Sequence, residues 1–232
     1  MIKITKIYDL IVNNISVIFS LCIIIILDNS LSELLSVQRL SVALPSTDDI
    51  LLNVQTILII LVIFTSLIKR ISISKIFIVF SLILSTSKLA ISVFLIIKQI
   101  IQSKPDNSQG VVGDLFHDAL LLWLTNFIIF ALWYWLLDRD NGDNNTSGQL
   151  RRPDFRFPLQ DYQQDDWCKK LYRDWRPSFI DYLFLAFTTS TAVSPTDTIP
   201  LSIRAKLLMI IQSSISIIVL VIFVARAVNM IK

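Results

Sequence analysis

Few residues in this chain could do chemistry, and the most conspicuous is Lys88, in the middle of an apolar block beside Ser85-Thr86-Ser87. An ammonium near the centre of a bilayer costs at least ~2.5–3.5 kcal/mol on insertion scales, so it should face protein or water. Two roles are open to it. It pairs with a buried carboxylate, Asp181 or Asp118, and so braces a neighbouring helix or sets a positive field in a conduit. Alternatively it snorkels along a polar groove and serves helix assembly alone. Thr188, Thr189, Ser190 and Thr191 form a hydroxyl run at the end of a short apolar stretch. The negative end of a helix dipole there would favour a cation, and hydroxyl runs also act as ordinary caps. His117 beside Asp118 is the single histidine, and one imidazole next to one carboxylate at the head of a span reads as interfacial. No paired-histidine motif, Gly-x-Ser-x-Gly elbow or phosphate-binding glycine loop is present, so no enzyme class is indicated. Cys22 and Cys168 lie too far apart in sequence to suggest a disulfide framework or a metal cluster. No cofactor is expected.

The elements that must position these residues are set by apolar blocks. Hydrophobic residues are 54% of the 232 and charged residues 17%, and the blocks lack the alternation of a barrel strand. A bilayer core about 30 Å thick needs roughly 20 apolar residues per helical crossing. Leu10–Leu27, Ile50–Ile68, Ile76–Ile97, Leu120–Leu137 and Leu207–Ala225 reach or approach that length. The expected fold class is therefore an all-α membrane protein with about five transmembrane helices. The first block follows Lys3 and Lys6 but is followed by Asp28-Asn29-Ser30 and not by a small-residue cleavage site, so it reads as retained. The net charge of +3, with no basic stripe interleaved with aromatics, excludes nucleic acid as a partner.

Between the spans, Asp28–Asp49 reads as a connector or a weakly amphipathic surface turn, and Lys69–Lys75 as a short basic loop. Gln102–Asp114 contains Pro105, Gly110 and Gly113 as breakers, and the fourth span is expected to open at about Leu115 and end in an interfacial belt of Trp133, Tyr134 and Trp135. The polar stretch Asp138–Arg176 turns aromatic in its second half, where Trp167, Leu171 and Trp175 recur at the spacing of a short surface helix.

Pro177-Ser178-Phe179-Ile180-Asp181 predicts a helix start, with Ser178 as N-cap and Asp181 completing a capping-box-like pair. From Phe179 to Thr191 the chain is apolar for only 13 residues, about 20 Å of helix, before Ser194-Pro195-Thr196-Asp197-Thr198 breaks it. A half-length helix, an irregular stretch and a full span make a re-entrant hairpin, which lipid tolerates only where protein or water covers the loose backbone.

These residues resemble the pore module of tetrameric cation channels, especially potassium channels: outer helix, pore helix, filter and inner helix. The resemblance runs from about Leu120 to Met230 and is densest over Asp181–Leu208. Where that family has Thr-Thr-Val-Gly-Tyr-Gly-Asp, this chain has Thr191-Ala192-Val193-Ser194-Pro195-Thr196-Asp197. Both filter glycines are replaced, by Ser194 and Thr196, and the aromatic by Pro195, so the backbone that strips a potassium ion of water is not implied. The resemblance places Thr189, Thr191, Ala192, Val193, Ser194, Pro195, Thr196 and Asp197 at a pore or filter-like site, with Asp197 at the filter mouth or capping the turn before Pro200. Lys88 and Asp181 are the intramembrane charges. Ser213, Ser214 and Ser216 stand where the inner helix of that family has its glycine hinge; they would pack helices, bond across them or line a water path. The chain is also similar to bacterial multi-span membrane proteins that combine a Ser-Pro-Thr-Asp-like stretch with such a final span, and its Ile, Asn and Ser usage points to an AT-rich bacterial source.

The organisation expected is three N-terminal spans over 1–114 and a channel-like module over 115–232. Within the module the outer helix is 115–138, the polar aromatic loop 139–176, the re-entrant helix with its degenerate filter 177–200, and the inner helix 203–231. Five crossings with basic loops inside put the N-terminus and the aromatic loop in the cytoplasm, whereas the resemblance puts that loop outside. The expected location is the cell membrane, multi-pass, and the expected partners are the lipid bilayer, other copies of the chain in a homo-oligomer of four, and inorganic cations. A non-conducting structural or interaction subunit that retains the module's fold is the alternative function.

Overall fold

The computed structural model describes residues 2–30, 47–67, 71–102, 109–143, 153–161, 175–191 and 198–230. They are mostly helical. In chain order the elements are α1 (Ile2–Asn29), α2 (Thr47–Leu67), α3 (Ile71–Gln102), α4 (Gln109–Asp143), β1 (Phe155–Arg156), α5 (Pro158–Asp161), α6 (Phe179–Ser190), β2 (Ile199–Pro200) and α7 (Ile203–Met230). Three helices among the described residues are long and apolar enough to cross a membrane, over Ile73–Lys98, Phe116–Asp138 and Ile203–Ala225. Ser16–Asn29, Val54–Phe64 and Phe179–Ser190 are shorter apolar helical stretches. The expected surface turn within 31–46, most of the expected surface helix ending at Trp175, and Ala192, Val193, Ser194, Pro195, Thr196 and Asp197 lie outside the described residues.

The chain forms two compact units, Met1–Ile129 with Ile215–Lys232, and Phe130–Ser214. In the first, each helix buries one stripe at helical spacing: Val17, Leu21 and Ile24 on α1, Ile59 and Val62 on α2, and Ile78, Leu82, Leu89, Val93 and Ile96 on α3. The opposite faces are equally apolar, with Phe19, Ile60, Phe64, Phe80 and Phe94 exposed. A helix that is apolar all round is at home only in a large core or in lipid, and these exposed faces are compatible with a membrane protein.

The second unit is built on aromatic rings. Tyr134 of α4 lies 5.2 Å from Phe155 by ring centroid, and Tyr182 of α6 lies 6.4 Å from Phe155 and 5.3 Å from Phe157, which also meets Trp175. Tyr134 and Trp135 are therefore buried inside the protein and do not form the interfacial belt that their position suggested. Rings so placed bury far more area than an interfacial ring would, and they hold the 153–161 segment against α4 and α6.

Three further expectations need correction. The apolar span of α4 opens at Phe116 as expected, but the helix that carries it starts earlier, at Gln109, and runs through Gly110 and Gly113 instead of being broken by them. Each glycine costs about 1 kcal/mol relative to alanine, but extending a long helix by one turn adds a hydrogen bond per residue and needs no new nucleus. The same helix continues to Asp143 beyond its expected end at 138. The fold is also not purely helical, because β1 and β2 pair antiparallel with Phe155 opposite Pro200 and Arg156 opposite Ile199. Next to Pro200, which has no N–H to give, the Leu201 N–H donates to the Asp154 carbonyl at 2.8 Å and extends the ribbon.

Candidate functional site

Helix α6, Phe179–Ser190, is one of the shorter apolar helices. It has 12 residues, about 18 Å at the helical rise, well short of a bilayer core. Its start forms as expected: the Ser178 N–H donates to Asp181 Oδ2 at 2.7 Å, and the Ser178 hydroxyl donates to the same oxygen at 2.8 Å. Asp181 is thus a capping carboxylate in the first helical turn. The next residue, Tyr182, donates its hydroxyl to Asp138 Oδ2 at 2.6 Å, and Asp138 Oδ1 accepts the Asp154 N–H at 2.9 Å. The sequence put Asp138 at the start of a loop, yet it lies within α4 and anchors both the half-helix and the ribbon. Tyr182→Phe is expected to lower stability by about 2 kcal/mol, the usual worth of a hydrogen bond to a charged group, and chemical unfolding in micelles measures it.

The far end of α6 is closed by hydroxyls and one amide. Thr188 and Thr189 donate to the Leu185 carbonyl at 3.0 and 2.7 Å, and Thr191 donates to the carbonyls of Phe187 and Thr188 at 3.2 and 3.1 Å. Gln212 of α7, fully buried, donates from Nε2 to the Ala186 carbonyl and to Ser190 Oγ, both at 2.7 Å. Its Oε1 accepts the Tyr134 hydroxyl. Both N–H groups and the carbonyl of one glutamine are thereby satisfied, and they join α4, α6 and α7 at a single point.

The ribbon is tied to the start of α7 by Arg204, whose Nε and Nη2 reach Asp154 Oδ1 and Oδ2 at 2.9 and 2.8 Å. Asp154 is buried while the arginine side chain is 45% exposed. The planar fork matches the carboxylate in a way a single ammonium cannot. Arg204→Lys is expected to cost about 1 kcal/mol, discounted for the solvent around the arginine, in a thermal melt.

In the other unit, Lys88 is buried and paired, but with neither carboxylate proposed for it. Its Nζ lies 2.8 Å from Asp28 Oδ2 and 3.0 Å from Gln55 Oε1. Gln55 in turn donates to Ser85 Oγ at 2.9 Å, and Ser85 donates to the Ser81 carbonyl. Asp28 closes α1 immediately after its apolar block, so a lysine meeting it brings its charge to the end of that block. Asp118 is buried with His117 Nδ1 at 3.7 Å, and Asp181 serves as the cap described above. Asn126 of α4 donates to Ser216 of α7 at 2.8 Å, which gives one of the three inner-helix serines the cross-helix bond foreseen for it. Ser214 is spent on its own helix, at the Ile210 carbonyl.

The site residues gathered around α6 are thus Thr189 and Thr191 of those expected, with Gln212, Tyr134, Ser190, Asp138 and Tyr182 added. Gln212, Gln55 and Asn126 were overlooked although each is an amide inside an apolar block. The rule that singled out Lys88, a polar group in lipid must have a partner, applies to them as well. Among the described residues no group of three His, Cys, Asp or Glu is placed to hold a metal ion. No protein-family model matches the chain, and no curated protein and no solved structure matches it.

Proposed function

We propose that this chain is a channel-like integral membrane protein that works as a homo-oligomer, four being the number its pore-module resemblance implies. The observation that supports this best is the clamp on α6. A helix too short to cross is gripped at its C-terminal end by Gln212 of the last span and, through that residue, by Tyr134 of α4. A re-entrant element needs such cover, since its loose backbone is tolerable only against protein or water. In this reading the oligomer forms a conduit, which without filter glycines passes inorganic cations with little selectivity. No cofactor takes part. Five crossings are supported by length: α1 and α2, at 28 and 21 residues, both exceed about 30 Å. The cell membrane is the setting, and a reporter fused to the C-terminus decides the orientation; a periplasmic signal would make the channel-like orientation untenable.

Purified protein in planar bilayers is expected to give cation currents that discriminate weakly among monovalent ions. The second reading, a non-conducting structural subunit, is favoured by one feature: the hydroxyls of Thr188, Thr189 and Thr191 are all donated to carbonyls of their own helix. A verified oligomer that carries no current in bilayers establishes that second reading and removes the first.

A further inference from the structure

The Lys88 node lines a small cavity with space for about one water molecule: Lys88, its partners Asp28 and Gln55, and Ser85 form part of the wall, and Ser92, Thr125, Leu89, Leu122 and Ile24 the rest. The polar atoms around it have a definite account of donors and acceptors. An ammonium has three N–H groups, and two of them are directed to Asp28 Oδ2 and Gln55 Oε1. The hydrogen of Ser92 Oγ is spent on the Lys88 carbonyl at 2.8 Å, and that of Thr125 Oγ1 on the Leu121 carbonyl at 2.8 Å. Both hydroxyls therefore offer the cavity lone pairs and no proton, while the ammonium offers a proton and no lone pair. An occupant must accept once from Lys88 and donate to two oxygens. An anion would meet hydroxyl lone pairs and the Asp28 carboxylate, and a cation would meet the ammonium, whereas a water molecule satisfies all three contacts.

We infer that this cavity is a binding site for a single water molecule, held by Lys88, Ser92 and Thr125. It is a fixed part of the bundle and it refuses ions of either sign. The inference is independent of the pore reading and places no ion path through this node. The bound water completes the third partner of a buried ammonium, which explains how a lysine can stand beside Leu89 and Leu122 in a span.

Water-to-methyl magnetisation transfer in the methyl-labelled, reconstituted full chain tests this. Strong transfer is expected at the Leu89, Leu122 and Ile24 methyls and none at Leu82 and Ile96, which are as deeply buried. Ser92→Ala combined with Thr125→Val removes both acceptors while leaving Lys88, Asp28 and Gln55 in place, and is expected to reduce the signal at least fivefold. The methyl spectrum itself reports whether that variant folds, and Thr125→Val alone, a nearly isosteric change, serves if it does not, with a weaker reduction expected. Absence of transfer in the natural sequence overturns the inference. Transfer that persists undiminished in the folded variants also overturns it, because the water would then be bulk solvent reaching the methyls by another route.

Discussion

Gln212→Leu lowers the stability of the purified protein by about 2–4 kcal/mol. The leucine is close in volume, so packing changes little, and the loss arises from buried polar groups: the Tyr134 and Ser190 hydroxyls lose Gln212, and the Ala186 carbonyl keeps only its bond within α6. Each buried group deprived of its partner costs about 1–3 kcal/mol, and Ser190 recovers part of this by turning its hydroxyl to its own helix. Equilibrium unfolding in mixed micelles gives the figure, with Ser213→Ala as the neighbouring control at no more than about 0.5 kcal/mol. The same variant also separates position from stability. Under the proposed channel reading, if α6 is held in place by this amide, bilayer currents should vanish at temperatures where the variant is still folded; currents that persist unchanged would show that the clamp does not position a conduit.

Lys88→Met and Asp28→Leu each destabilise by about 3–5 kcal/mol, and the double variant recovers most of that loss. The reasoning concerns what a single change leaves behind. With a side-chain exposure of 9% for the lysine and 13% for the aspartate, neither charge has much water to fall back on when its partner is removed. Removing both leaves an apolar pair of similar volume, and the Gln55 carbonyl loses the Lys88 donor. A double-mutant cycle over the two positions should therefore give a coupling larger than either single loss, more than about 3–5 kcal/mol. Additive single effects would mean that Lys88 is satisfied by solvent, and that the snorkelling role is the correct one. Oligomer assembly and transport measured on the double variant then tell whether the node does anything beyond holding α1, α2 and α3 together.

Much of this protein is legible in its sequence because lipid leaves the backbone so few choices. A run such as Ile76–Ile97 has to be helical wherever it lies in a membrane, since only the helix satisfies its own N–H and C=O groups. The half-length of α6 and its Ser178–Asp181 start are equally local, set by chain distance and by hydrogen bonds between residues three apart. Pairing is another matter. Nothing in the order of residues says that Lys88 meets Asp28, 60 positions away, in place of Asp118 or Asp181, or that Gln212 reaches Ala186, Ser190 and Tyr134 together. The same holds for Trp135, whose type suits an interface as well as a core, and for the two-residue ribbon, which is too short to leave a strand pattern. Element identity follows from a requirement each segment meets by itself, whereas partners are chosen by which faces come together in three dimensions. The sequence alone determined the helices and their lengths; tertiary packing alone decided which buried charges and amides satisfy one another.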